Sequence, residues 1–391
     1  MIPRNTKVYY ATQITHALIF TIPIWVVFYQ QMFSPVQIAM LAIISFATQM
    51  IMELPSGALA DMIGRKTILA ISFLIAALSF LLFPFGTEYW HYIVLAGLIG
   101  LSDSFRSGAE EAIVYDTYIQ KESHDFEKVY AKGNMMYQVG LIVAILTGGL
   151  LYQQNQALPF VLYGISLIIG FFITLFYIEP SIDSEKFSIS NYRKQMQLGI
   201  KEVFKDKLTS YTSLFYIVVG GITWSNALFL GSYYIVGLGF DDAQRGFIQG
   251  GARLFNALLF AIIIKRIKLG GKFKIVIFPV LMILAFLPGE FANGWYGVPL
   301  FTIGLFATTG RWIILSPITN EMFSSKVRAT AISVLSLLIG FIYILIVGIS
   351  GPFIQRFGIG SMYTILGILS LFIALPLGLK LLKVRKESRL I

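Results

Sequence analysis

The sequence predicts an all-α integral membrane protein with twelve transmembrane helices in two pseudo-symmetric six-helix bundles. Three observations carry this. Of the 391 residues 57% are hydrophobic and only 13% charged, more apolar surface than the interior of a soluble domain can hide, so the solvent is lipid. The apolar residues fall into runs close to the roughly 20 residues a helix needs to cross a hydrocarbon core about 30 Å thick. Such spans are helical because lipid offers exposed backbone groups no partner. One long polar interval, 179–208, divides six runs from six.

In chain order the runs lie at 8–29, 36–60, 67–86, 91–117, 129–152, 158–178, 209–236, 244–264, 274–288, 297–320, 329–354 and 361–382. The first follows Arg4 and Lys7 but is longer than the apolar core of a signal peptide, and no small-residue cleavage site follows it, so it reads as a retained span. The ninth is interrupted by Pro279 and Pro288. Residues 1–178 and 209–391 then form the two bundles, and 179–208 is a cytoplasmic linker. Its second part sets Met196, Leu198, Ile200 and Val203 among Lys and Glu, the pattern of a short amphipathic helix. The halves also match in detail. "RSGAEEAIVYD" puts Arg106 ten residues before Asp116, and "RWIILSPITNE" puts Arg311 ten before Glu321. The next helix entries, "KVYAKG" and "KVRATA", match as well, which makes a six-span pseudo-repeat.

Charge fixes the topology. All but five of the 30 Lys and Arg lie in the N-terminal segment, the even-to-odd loops or the C-terminal tail, the exceptions being Arg106, Arg253, Arg311, Arg245 and Arg356. This positive-inside asymmetry puts both termini in the cytoplasm of a multi-pass plasma-membrane protein. The net charge of +10 therefore reflects topology and anionic lipid rather than a nucleic-acid partner. With no cysteine and three scattered histidines (His16, His91, His124), no metal or other cofactor is expected. No catalytic dyad or phosphate loop appears, so the reading is not an enzyme. A monomer is expected.

Between spans 2 and 3 lies "GALADMIGRK", Gly57 to Lys66. It resembles the G-x-L-x-D-x-x-G-R-K signature of the major facilitator superfamily, with Gly57, Leu59, Asp61, Gly64, Arg65 and Lys66 all in place on the expected side of the membrane. The second-half loop "KRIKLGGKFK" keeps bases and glycines but has no aspartate. The resemblance implies a transporter fold with a cytoplasmic latch: Asp61 at the start of helix 11 near Lys326 and Arg328, where a helix N-terminus favours an anion, and Arg65 against Asp116. The pseudo-repeat adds Arg266 with Glu321. "GLIVAILTGG" in span 5 partly matches a drug:proton antiporter signature; Gly140, Gly148 and Gly149 fit, while Ala144 and Ile145 replace its central Gly-Pro.

Three arginines inside spans, Arg106, Arg253 and Arg311, each cost at least ~2.5 kcal/mol at a helix centre unless paired or wetted, so each is a candidate for function. The competing reading is an ion pair that only locks helices together. Asp103, Arg106 and Glu110 share one helical face, so the arginine can pair with either acid, while Glu111 is turned away. The carboxylates outnumber the bases in span 4. Either an arginine of the other half reaches them or one carboxyl carries a proton, which is what proton coupling requires. Glu110 or Glu111 is the first candidate for the proton carrier, then Glu53, then Asp103; a structural charge network at the cytoplasmic mouth is the alternative.

By resemblance, spans 1, 4, 7 and 10 line the cavity with help from 2, 5, 8 and 11. Candidate lining residues are Gln13, His16, Gln49, Tyr137, Gln138, Trp224, Asn226, Tyr233, Gln249, Asn256 and Trp312. Many aromatics with few charges suit a bulky, partly apolar solute. The leading expectation is export of a small amphipathic or drug-like compound in exchange for protons, by alternating access. The alternatives are uptake of a polar or anionic nutrient, and a lipid flippase.

Overall fold

The computed structural model describes residues 4–119, 126–179, 189–266 and 271–388, and among them every regular element is helical. The α-helices are α1 (Arg4–Ala17), α2 (Trp25–Gln30), α3 (Pro35–Ile63), α4 (Arg65–Leu82), α5 (Tyr89–Ile119), α6 (Phe126–Gln154), α7 (Leu158–Thr174), α8 (Ile189–Val203), α9 (Lys207–Ser225), α10 (Gly231–Gly237), α11 (Asp242–Arg266), α12 (Gly271–Phe286), α13 (Gly297–Gly310), α14 (Ser316–Asn320), α15 (Arg328–Leu369) and α16 (Leu375–Glu387). Five-residue π-helical segments join α9 to α10 (Asn226–Leu230), α13 to α14 (Arg311–Leu315) and α15 to α16 (Ser370–Ala374).

These elements supply the twelve spans. α1 and α2 are two pieces of the first, separated by tight turns over 18–24 rather than continuous as expected. α3 to α7 supply the next five. α9 with α10, α11, α12, and α13 with α14 supply spans 7 to 10. α15 runs through spans 11 and 12 and is broken at Gly358, whose φ of 82° turns the chain between them. Among the described residues seven helical stretches qualify as membrane spans on length and apolarity alone. The remainder are divided by a break, as in α1 and α2, fall short, as in α7 and α12, or mix charge into the apolar run, as in α5.

Two compact units emerge. The first comprises 1–33, 40–187 and 241–250, the second 34–39, 188–240 and 251–391. In the first, α4 packs against α5 and α7, and α1 against α6 and α7. Their shared core contains Tyr9, Leu69, Phe73, Ile113, Tyr163 and Leu167. Glycines let the backbones meet: a Cβ on Gly148 of α6 would lie 2.1 Å from the Phe20 carbonyl in the broken part of span 1. In the second, α15 packs against α9, α8 and α12.

The apolar residues of the linker helix α8 divide between two environments. Val203 and Gly199 are buried, with Gly199 against Thr330 and Val334 of α15, whereas Leu198 and Ile200 are exposed. The buried face follows the i, i+3, i+7 spacing of 196, 199 and 203, and Leu198 and Ile200 fall on either side of it. At its end Asp206 caps α9, accepting from the Thr209 N–H and hydroxyl, both at 2.8 Å.

Candidate transport site

Helix α5 gathers the first group. Its Asp103, Arg106 and Glu110 recur at three and four residues, and of the two acids that spacing offers, Arg106 takes Glu110, Nη1 to Oε2 3.3 Å. Glu110 is buried. Its other oxygen lies 2.9 Å from the Thr12 hydroxyl on α1, and Gln13 donates to the same carboxylate. The Thr12 oxygen is also 2.9 Å from the Tyr9 carbonyl. One hydroxyl proton can serve only one acceptor at a time. With Glu110 ionised, Thr12 donates to it; with Glu110 protonated, Thr12 can accept from the acid and donate to Tyr9. The pocket thus supplies a partner in either protonation state.

Around this carboxylate, His16 is buried and stacked on Tyr137, centroids 5.6 Å apart, with Phe73 edge-on at 6.3 Å. Asp103 is half-buried one turn before Arg106. Glu111 faces outward and accepts from the Tyr130 hydroxyl at 3.4 Å. Glu53 sits apart on α3, on the wall of a cleft of about 310 Å³ bounded by Ser56, Gly57 and Ala60 of α3 and by Phe105, Ser107, Gly108, Ala109 and Ala112 of α5, with Arg65 at its rim. Gln49 is half-buried and Gln138 exposed, and neither joins the Glu110 group.

At the foot of α5, Arg65 forms an ion pair with Asp116. Glu179, which the sequence reading did not single out, caps α4: its carboxylate accepts from the Arg65 N–H at 2.7 Å and the Lys66 N–H at 2.8 Å. These are orphan donors of a helix N-terminus, where an anion is favoured. Gly64 makes room, since its φ is 95° and a Cβ there would lie 3.3 Å from the Glu179 carboxylate. The Asp61 and Arg266 side chains lie outside the described residues. Glu321 is exposed at the end of α14, within electrostatic reach of Arg385.

The second unit holds a different group. Arg311 opens the π segment of span 10 and is completely buried. Its guanidinium carbon lies 4.3 Å from the Trp312 ring centre, 4.9 Å from Tyr216 and 5.6 Å from Trp224. None of its three guanidinium nitrogens has a hydrogen-bond acceptor among the described residues. Asn226 opens the π segment of span 7; it too is fully buried, and its Oδ1 accepts from the Tyr363 hydroxyl at 2.5 Å. Asn256 of α11 donates to the Thr302 carbonyl at 3.1 Å. Tyr233 packs on Phe229, whereas Gln249, also buried, lies in the part of α11 that belongs to the first unit and is not one of this group. Arg253 is half-buried on the same helix. Tyr216 and Tyr363 carried no sequence signal, because an aromatic in a membrane helix announces nothing until its neighbours are known.

Twelve apolar helical spans that bury polar and charged groups, Glu110 and Arg311 among them, fit one class: a helical membrane transporter. A family model for the Major Facilitator Superfamily matches residues 9–310, and the chain belongs to that superfamily. Residues along 58% of the chain are 26% identical to an uncharacterized MFS-type transporter, YxaM, of Bacillus subtilis, and along 44% are 27% identical to a class H tetracycline resistance protein of Pasteurella multocida. The chain matches about half the length of these relatives, 57% and 43% respectively. Among solved structures, the nucleoside transporter NupG superposes with a TM-score of 0.76 over 98% of this chain and 99% of its own. A bacterial homologue of the lysosomal transporter Spinster superposes at 0.71 over 97% and 96%. Both are 15% identical to this chain, a likeness of fold alone.

Proposed function

We propose that this chain is a proton-coupled secondary transporter that exports a small amphipathic compound by alternating access. Its bundles, 1–178 and 209–391, would act on either side of the linker, with both termini in the cytoplasm. The observation that carries the reading is the Glu110 pocket. A buried carboxylate is paired with Arg106 and given a hydroxyl partner that serves it with or without its proton. Protonation would neutralise Glu110 and release Arg106 toward Asp103, so that a proton entering or leaving changes which groups are paired. The stretch shared with a tetracycline resistance protein supports a drug-like solute and outward transport. The uncharged, aromatic character of His16, Tyr137 and Trp312 supports a bulky solute.

The test is flux in proteoliposomes carrying an imposed pH gradient, against a panel of amphipathic compounds. Glu110→Gln is expected to abolish gradient-driven flux while solute exchange without a gradient persists. Wild-type coupling in Glu110→Gln, in Glu111→Gln and in the double variant would remove span 4 from the mechanism. Uptake of an anionic nutrient is the second reading, and the observation that favours it is Arg311.

A further inference from the structure

We infer that the second unit carries a binding site for an anionic group, a carboxylate or phosphate attached to a flat apolar body, with Arg311 as the anion ligand and Trp224 and Trp312 as the walls. This rests on the transporter reading and deepens it by naming a feature of the solute.

The distribution of charge comes first. No Asp or Glu occurs in 209–236, 244–264, 274–288, 297–320, 329–354 or 361–382. The second half therefore has no carboxylate of its own at membrane depth to neutralise Arg311. The first half is the reverse: its runs hold Glu53, Asp103, Glu110, Glu111 and Asp116, with Arg106 the one arginine among them.

The local geometry is built around the guanidinium. Tyr216, Gly220 and Trp224 recur every fourth residue and so form one stripe along α9. A Cβ on Gly220 would lie 2.8 Å from the Ile339 side chain and 3.2 Å from Arg311 Nη1, so the glycine admits both of these side chains close to the helix between the two rings. Trp312 closes another side. These contacts use the rings' negative π-faces. Stacking of this kind satisfies the charge but not the N–H donors, which project from the edge of a planar fork and match the two oxygens of a carboxylate or phosphate. Those donors are buried and have no acceptor among the described residues, a costly state that a bound anion would relieve. Trp312 is 48% exposed, so one wall of the cage reaches the surface and offers a flat apolar face beside the anion position.

The anion could belong to a soluble solute or to a lipid headgroup, and binding by the purified full-length protein distinguishes them. The probe is 2-naphthoate, titrated by quenching of tryptophan fluorescence, beside its uncharged partner 2-naphthamide and beside phenyl phosphate. Naphthoate is expected to bind saturably, naphthamide at least about ten-fold more weakly, and Arg311→Gln to lose naphthoate affinity by a similar factor. Should Arg311→Gln lower the melting temperature, Arg311→Lys carries the test, because it keeps the charge but not the fork and must also lose affinity. Competition by phosphatidylglycerol in mixed micelles as strong as that by phenyl phosphate would assign the site to a headgroup; weaker competition assigns it to a solute. Equal binding of naphthoate and naphthamide, or full affinity in both Arg311 variants, would overturn the inference and leave Arg311 a structural cation. Titration of Glu110→Gln separates the two claims: naphthoate binding retained there without proton coupling in the wild type sinks the coupling and not the site.

Discussion

Glu110 and Arg311 are both buried ionisable side chains in membrane helices, and their surroundings set them opposite tasks. Glu110 has a cation one helical turn away and two hydrogen-bonding side chains from α1. Arg311 has three aromatic rings and, among the described residues, no acceptor. The Glu110 pocket also depends on residues that never touch the carboxylate. Tyr9, whose carbonyl shares the Thr12 hydroxyl, is almost completely buried, and its ring lies against Gly133 of α6; a Cβ there would come within 2.2 Å of it. Two effects compete in Gly133→Ala. Helix propensity favours alanine by at most about 1 kcal/mol, while overpacking a buried ring costs about 1–3 kcal/mol. The clash wins because Tyr9 is also stacked on Tyr130 and has little room to move. The variant is expected to melt at a lower temperature in detergent and to weaken proton-driven flux; an unchanged melting temperature would contradict this packing argument.

At the scale of elements, two of the three π segments and the break in the first span fall at the polar sites. Asn226 and Arg311 each open a π segment, and the first span breaks just after His16. Irregular backbone at membrane depth persists only where protein or a cavity satisfies it, and π-bulges frequent functional sites. The linker shows how elements are held by single carboxylates. Glu202, at the end of α8, accepts from the Ser324 N–H at 2.7 Å and from Lys205 Nζ at 2.9 Å. The Ser324 backbone bond, then the Lys205 side chain, holds the Glu202 carboxyl below its ordinary range. A carboxyl whose pKa falls on folding adds stability that is complete above its unfolded pKa and is lost as pH falls through the folded value. The protection factors of α8 amides, corrected for intrinsic exchange at each pH, are therefore expected to be high and constant near neutrality and to fall only below the usual carboxylate range. Glu202→Gln should show the lower protection already at neutral pH. Equal protection in the two proteins at pH 7 would mean that Val203 and Gly199 hold the helix unaided.

For the whole molecule, the asymmetry between halves is chemical more than architectural. Six spans repeat six, yet one half carries carboxylates at membrane depth and the other carries arginines without them. On the proposed reading, a proton site in one half and an anion site in the other would be coupled only through a transition that opens the protein to each side of the membrane in turn. The signature loop belongs to this scale. Arg65 is tied to Asp116, and Glu179 caps the helix that follows the turn, so the loop is anchored within the first unit; the latch role of Asp61 is what the resemblance to the superfamily signature implies. Asp61→Asn is accordingly expected to lower transport rate several-fold with little change in solute affinity. Flux and equilibrium binding measured on one preparation check it, and an unchanged rate would reduce the loop to a topological marker.

The fold class was legible because membrane helices are specified by local quantities: run length, apolar share and the side on which Lys and Arg remain. The "GALADMIGRK" motif was legible because its residues are contiguous. The grouping of Asp103, Arg106 and Glu110 on one face followed from helical periodicity alone. What the sequence left open was choice among partners. Periodicity offered Arg106 two acids, and Thr12 and Gln13, a hundred residues away, favour Glu110. Arg311 was legible as a cost, but its partners Tyr216 and Trp224 come from another span and resemble the other aromatics of the chain. Glu179 gave no sign of capping α4, since a cap supplied across 114 residues has no local pattern. Sequence determined which segments cross the membrane, because transfer into lipid depends on each segment's own composition. Tertiary structure decided which charges meet, because an ion pair or a cation–π cage depends on distances of a few ångströms between residues that the chain order keeps apart.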